Sequence, residues 1–159
     1  MRIAVTGIEL AEEEEEEEEE RLLLVVEDLS ADERLAALAR ASERRFQEVV
    51  EHATDGIVLM GKDGLISSFN RSAEKMFGWR REEVLRKSVT LLMPEKYRGP
   101  HDHGVARYLG TGKSSMLGTV RAIEGLRKDG SIFPIECTIS AYCVDGEFVF
   151  TGVLRDITE

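Results

Sequence analysis

Between Phe133 and Ala141 the apolar residues Phe133, Ile135, Cys137, Ile139 and Ala141 recur at every second position. Pro134, Glu136, Thr138 and Ser140 fill the gaps. A period of two belongs to a strand, and it gives that strand one buried and one open face. Turn chemistry brackets it, with Arg127-Lys128-Asp129-Gly130 before and Val144-Asp145-Gly146 after. Asp-Gly is a tight-hairpin signal, so both neighbours should run antiparallel to it. Those neighbours are a strand-like run from Met116 to Leu126 and a last strand from Glu147 to Thr158. Upstream, residues 56–60 (GIVLM) and 65–69 (LISSF), joined through Gly61-Lys62-Asp63-Gly64, read as a further hairpin. A chain with these five strands folds as an antiparallel sheet covered on one face.

What covers the sheet is also written locally. Asn70 can cap a short helix that Gly78 terminates. Phe77 and Trp79 read as core, with contact to a bound group the lesser possibility for the tryptophan. Residues 81–85 (REEVL) suit another short helix, and 89–94 (VTLLMP) lead onward. Before all of these, Ser30-Ala31-Asp32-Glu33 is a capping box. Leu35, Leu38, Ser42, Phe46, Val49 and Ala53 then form an apolar stripe at helical spacing. The stripe either folds onto its own domain or forms a two-helix interface between copies. The expected organisation is an acidic low-complexity extension over 1–29, an amphipathic helix over 30–54 and one compact domain over 55–159. The class is α+β, with a pocket between sheet and helices.

Charge narrows the function classes. The net charge of −10 is concentrated in residues 1–21, which hold ten acids, nine of them the run Glu12–Glu20, against two arginines. That run reads as a solvated segment. The remainder is nearly neutral, with no basic footprint for nucleic acid and no pull toward anionic membranes. The longest apolar run, Leu22–Val26, is far too short to span a bilayer. Cys137 and Cys143 sit six apart, expected on one strand, where a disulfide would need a sharp bend. With no signal pattern, the chain reads as cytoplasmic. No zinc spacing and no nucleophile–base grouping is visible, and Gly110-Thr111-Gly112 lacks the context of a phosphate loop. His52 has only ordinary surface neighbours. No kinase or other catalytic motif is visible, so no catalytic role is expected of these residues.

The chemistry concentrates between Met93 and Arg121, which holds two of the three histidines, His101 and His103. Pro100 is expected at the first helical position, with Asp102 in the first turn. The 3.6 period then puts His101, Val105 and Tyr108 on one face, with Arg107 about a third of a turn away. After residues 110–115 (GTGKSS), the parity of Leu117, Thr119, Arg121 and Ile123 projects an arginine among mostly apolar neighbours. A guanidinium there needs an anionic or strongly polar partner. One histidine between two arginines suits a flat anionic cofactor such as haem. The plainer readings are a satisfied surface histidine and an arginine on a solvated face.

Residues 46–159 resemble a PAS domain, and the histidine stretch resembles the oxygen-sensing haem PAS domain of the FixL family. The signals are Met93-Pro94-Glu95, His101-Asp102 with Arg107 six residues on, Arg121 fourteen later, Arg127–Gly130, Phe133-Pro134, and the closing Thr151–Glu159. The resemblance implies a PAS fold with the N-terminal hairpin central in the sheet. It implies haem b, with His101 as the ligand to iron, Arg107 against a propionate and Arg121 as the distal arginine. Tyr108, Met116, Leu117, Cys137, Ile139 and Gly152 would complete the cofactor's surroundings. The implied ligand is O2, or else CO or NO. A homodimer through the N-terminal helix and an output domain or histidine kinase outside this chain go with it. Two departures stand out: Ser115 takes the place of a second propionate-binding histidine, and Cys137 that of a bulky aliphatic distal residue. A cofactor-free interaction module, or a PAS domain holding flavin or a small metabolite, are the competing readings.

Overall fold

The computed structural model describes residues 30–159, together with Glu17 and Arg21. The strand and extension expected within the rest of 1–29 lie outside those residues. The elements are α1 (Ala31–His52), β1 (Gly56–Gly61), β2 (Ile66–Phe69), α2 (Arg71–Phe77), α3 (Arg81–Val84), a 3-10 turn (Val89–Leu92), α4 (Glu95–Thr111), β3 (Val120–Leu126), β4 (Ile132–Val144) and β5 (Glu147–Asp156). The chain divides after Phe46, inside α1, and the unit from Gln47 to Glu159 holds the whole sheet.

Helix α1 starts where the capping box puts it. Ser30 N–H donates to Glu33 Oε2 at 2.9 Å, and Glu33 N–H returns a bond to Ser30 Oγ at 3.3 Å. Leu35, Leu38, Phe46 and Val49 of its stripe are exposed. Val50, at its C-terminal end, is buried.

All strands pair antiparallel, in the order β2-β1-β5-β4-β3. The N-terminal hairpin therefore occupies one side of the sheet, and the expectation of a central hairpin is corrected. The centre is β5, because β1 pairs with β2 on one edge and with β5 on the other. The alternation in β4 holds: Phe133, Ile135 and Cys137 are buried while Ile132, Pro134 and Ser140 are exposed. The Asp-Gly turn after it uses left-handed backbone at both Asp145 (φ 52°) and Gly146 (φ 80°), as a two-residue hairpin with the sheet's twist requires.

The core lies between the sheet and α2–α3. Phe69, Phe77 and Phe133 pack one against the next, the first pair tilted and the second edge-on, with ring centroids 6.2 Å and 5.3 Å apart. Gly125 on β3 makes room for them: a Cβ there would stand 2.8 Å from Phe133 and 3.1 Å from Phe77. Trp79 packs against this cluster, with the Lys128 ammonium 5.1 Å from its ring centre. It does not reach the cavity described below.

At the join of β2 and α2 sits Asn70, wholly buried. Its side-chain oxygen accepts from Ala73 N–H (3.0 Å), capping α2, and from Ile57 N–H (2.8 Å). Its amide donates to the carbonyls of Val50 (2.8 Å) and Asp55 (3.1 Å). One side chain thus ties the end of α1, the start of β1 and the start of α2 together. Gly78, with φ 75°, ends α2 as expected.

Candidate functional site

Two boundaries around the histidine stretch differ from the sequence reading. Helix α4 begins at Glu95, five residues before the expected start, with Pro94 as its cap residue and Glu95 as the acid of its first turn. Pro100 therefore lies inside the helix, where it offers no N–H to the carbonyl of Lys96. The helix also runs on through Thr111, and Gly112 closes it. Strand β3 starts only at Val120. Gly118, with φ 72°, turns the chain just before it and breaks the expected parity. Leu117 meets Ile139 through an isolated parallel bridge instead. Thr119 does not line the cavity; its hydroxyl donates to the Met116 carbonyl at 3.3 Å.

Between α4, the 3-10 turn and the sheet lies a cavity of about 680 Å³. That is within the usual range for small-molecule and cofactor sites, roughly 300–1,000 Å³. The nine residues that the resemblance sets around a cofactor all line it: His101, Arg107 and Tyr108 from α4, Met116 and Leu117 from the loop, Arg121 from β3, Cys137 and Ile139 from β4, and Gly152 from β5. Val105 joins them from the same helix face.

The imidazole of His101 is largely covered, with 18% of the side chain exposed. Its Nδ1 stands 3.1 Å from Asp102 Oδ1, and its Nε2 has no hydrogen-bond partner among the described residues. His103 faces away: it is exposed, absent from the lining, and its Nδ1 meets the Gly99 carbonyl at 2.8 Å. Arg107 is exposed at the rim, and its guanidinium makes no hydrogen bond or ion pair among the described residues, while its carbonyl accepts from the Thr111 hydroxyl at 2.7 Å. Arg121 is also exposed at the rim, where its guanidinium donates to the Ser115 carbonyl at 2.8 Å. The strong polar partner that the sequence demanded for Arg121 is thus a loop carbonyl.

Tyr108 is held edge-on by two β5 rings, Phe148 at 6.1 Å and Phe150 at 5.6 Å. Cys137 pairs across the strands with Arg121. Burial pushes its thiol up to about 11, so it stays neutral near pH 7 and acts as a small apolar wall. Both cysteines are free and both lie in β4, as expected. Gly152 sits in regular pairing with Val58 and Ile139, without a bulge. A Cβ added to it would approach only Val58 O and Leu154 at 3.8–3.9 Å, so the floor there is open to a flat group.

The arrangement offers one uncommitted imidazole nitrogen, two rim cations and an otherwise largely apolar chamber. Those donors fit haem: a nitrogen for iron, cations for carboxylates, and room above bare backbone. Sequence reasoning missed the Lys96, Tyr97 and Glu124 group at one end of α4, whose partners lie 27 and 28 positions apart. It also missed the two phenylalanines that hold Tyr108.

A family model described as the PAS fold matches residues 44–157. Among curated proteins, the chain is 32% identical over 132 residues to the sensor protein FixL of Bradyrhizobium diazoefficiens, covering 83% of this chain and 26% of that one. It is 27% identical over 123 residues to the oxygen sensor protein DosP of Escherichia coli, covering 77% and 15%. The solved PAS domain of an HTR-like protein from Haloarcula marismortui matches with a TM-score of 0.60 and 25% identity, over 78% of this chain and 98% of that one. The chain spans about a quarter or less of the curated relatives it matches.

Proposed function

The chain belongs to the PAS family, whose members are sensory modules of signalling proteins, and from that premise we propose that its cavity holds haem b and senses a diatomic gas, O2 before CO or NO. The observation that carries this reading is the meeting, in one cavity, of His101 with an uncommitted Nε2 and of both arginines. When bound, ferrous haem would supply an iron that takes such gases reversibly.

The chain's own residues do the rest. His101 would hold the group through Nε2, while Asp102 at Nδ1 would fix the ring's tautomer and orientation. Arg107, whose guanidinium has no partner among the described residues, would answer a carboxylate at the rim. Arg121, which donates to the Ser115 carbonyl, would be the cation within reach of a gas or of a second carboxylate. A change of partner there would shift β3, and the sheet would hand it on. Reconstitution with haem tests the reading directly. A Soret band at one equivalent per chain supports it; protein that stays colourless, or that purifies yellow with flavin, overturns it.

Arg121 separates gas recognition from mere anchoring. O2 gains negative charge on binding and CO stays nearly neutral, so a cation favours O2 selectively. Met116, Leu117, Cys137 and Ile139 offer no strong donor. A charge-assisted hydrogen bond contributes roughly 1.5–3 kcal/mol. Arg121→Ala should weaken O2 affinity by about one to two powers of ten on that scale, with CO much less affected. Equal losses for both gases in flash-photolysis titrations would assign Arg121 to a carboxylate instead.

The partner we propose is a second copy, joined through the exposed stripe of α1. Sedimentation should show a dimer for the wild type and a monomer once Leu38 and Phe46 are both replaced by glutamate. A wild-type monomer at high micromolar concentration would sink this part. The output, by the same reading, is a histidine kinase or similar domain of a two-component system, working in the cytoplasm, where free thiols persist. No helix among the described residues is long and apolar enough to cross a membrane.

A further inference from the structure

Helix α4 roofs the cavity, yet none of its residues is buried. The hydrogen bonds, ion pairs and ring contacts that tie it to the sheet lie at its two ends. At the C-terminal end Tyr108 rests against Phe148 and Phe150. At the N-terminal end the Lys96 ammonium pairs with the Glu124 carboxylate, and Tyr97 O–H donates to the same carboxylate oxygen at 3.4 Å. Between them the roof is thin: a Cβ at Gly99 or Gly104 would meet nothing within 4 Å. Pro100, which cannot bond the Lys96 carbonyl, weakens the helix just past the polar tie, one residue before His101.

The two ties differ in kind. Packed aromatic rings hold by burial and are indifferent to salt. An exposed ion pair is weak and screened. Each partner nonetheless holds the other charged: their hydrogen bond raises Lys96 and lowers Glu124 from their ordinary values. Of the two ends, the polar one must open first.

We propose that Glu124, gripped by Lys96 and Tyr97, is the latch of a gate at the N-terminal end of α4, and that haem enters and leaves the cavity through its opening. The identity of the traffic rests on the haem reading; the latch itself does not.

Two measurements test it on the full chain. The first is hydrogen exchange of haem-free protein, comparing amides of residues 95–103 with those of 108–112. The second is transfer of haem from loaded protein to excess apomyoglobin. Glu124→Lys, which turns attraction into repulsion, should speed both the 95–103 exchange and haem transfer by roughly three- to tenfold. Exchange at 108–112 and in β1–β2 should hold. The reciprocal pair Lys96→Glu with Glu124→Lys should restore both rates, and raised salt should speed wild-type transfer but not that of Glu124→Gln. Exchange that does not change, that rises equally at both ends of α4, or that the charge swap fails to rescue would overturn the latch. Exchange that responds while haem transfer does not would overturn the gate. Wild-type protein that takes up no haem would defeat the haem reading and the gate with it, while the exchange results would still decide the latch.

Discussion

His101→Ala is expected to abolish stable haem binding while leaving the far-ultraviolet dichroism and unfolding midpoint of the haem-free protein close to wild type. The imidazole contributes no hydrogen bond to the frame beyond its contact with neighbouring Asp102, and no residue of α4 belongs to the buried core. Removing it therefore takes away the proposed iron ligand and little else. His103→Ala is the matched control, because that ring is exposed and turned toward the Gly99 carbonyl. It should keep a full Soret band. The cavity left by the shorter side chain admits free imidazole, which should restore absorbance to the His101→Ala protein by supplying the missing nitrogen. A normal Soret band in His101→Ala, or its loss in His103→Ala, would show that the ligand has been misassigned.

Asn70→Ala carries the largest expected cost to stability. The buried amide makes four hydrogen bonds, two as acceptor and two as donor, and truncation leaves all four backbone partners without it. At roughly 1 kcal/mol net for each bond, the loss is about 3–4 kcal/mol, a large part of a small domain's stability. Asn70→Asp distinguishes the two halves of that network. It keeps the acceptor that caps α2 but sets a carboxylate against the Val50 and Asp55 carbonyls. If the donor half matters as the geometry says, aspartate should be at least as damaging as alanine in urea unfolding at neutral pH. It should recover partly in acid, where a protonated carboxyl can donate once. A near-neutral Asn70→Asp would mean that only the helix cap counts.

These two residues show where sequence reading succeeds and where it stops. Asn70 was legible as a cap, because a cap is a contact between residues three apart: its oxygen accepts from Ala73 N–H. Its bonds to Val50 and Asp55, 20 and 15 positions back, were not legible. His101 was legible as a candidate because residues 101, 105 and 108 share a helix face wherever the helix starts. Its start was misjudged because Pro94 and Pro100 are each plausible near a first turn. Glu95 and the bond from Tyr97 N–H to the Pro94 carbonyl settled it in favour of the earlier one.

By itself, then, the order of residues determined whatever depends on near neighbours. It specified the alternating face of β4, the Asp-Gly reversal at 145–146, the Ser30–Glu33 box and the ends of α2. Each is a choice among a few backbone states, settled by hydrogen bonds and sterics within about four residues. Only the tertiary structure decided what depends on residues brought together from afar. It placed β5 in the middle of the sheet and closed Glu124 on Lys96 and Tyr97. It gave Arg121 a loop carbonyl as partner and kept the Cys137 thiol neutral by burying it. Those outcomes follow from which surfaces exclude water from one another, and near-neighbour preferences leave that open.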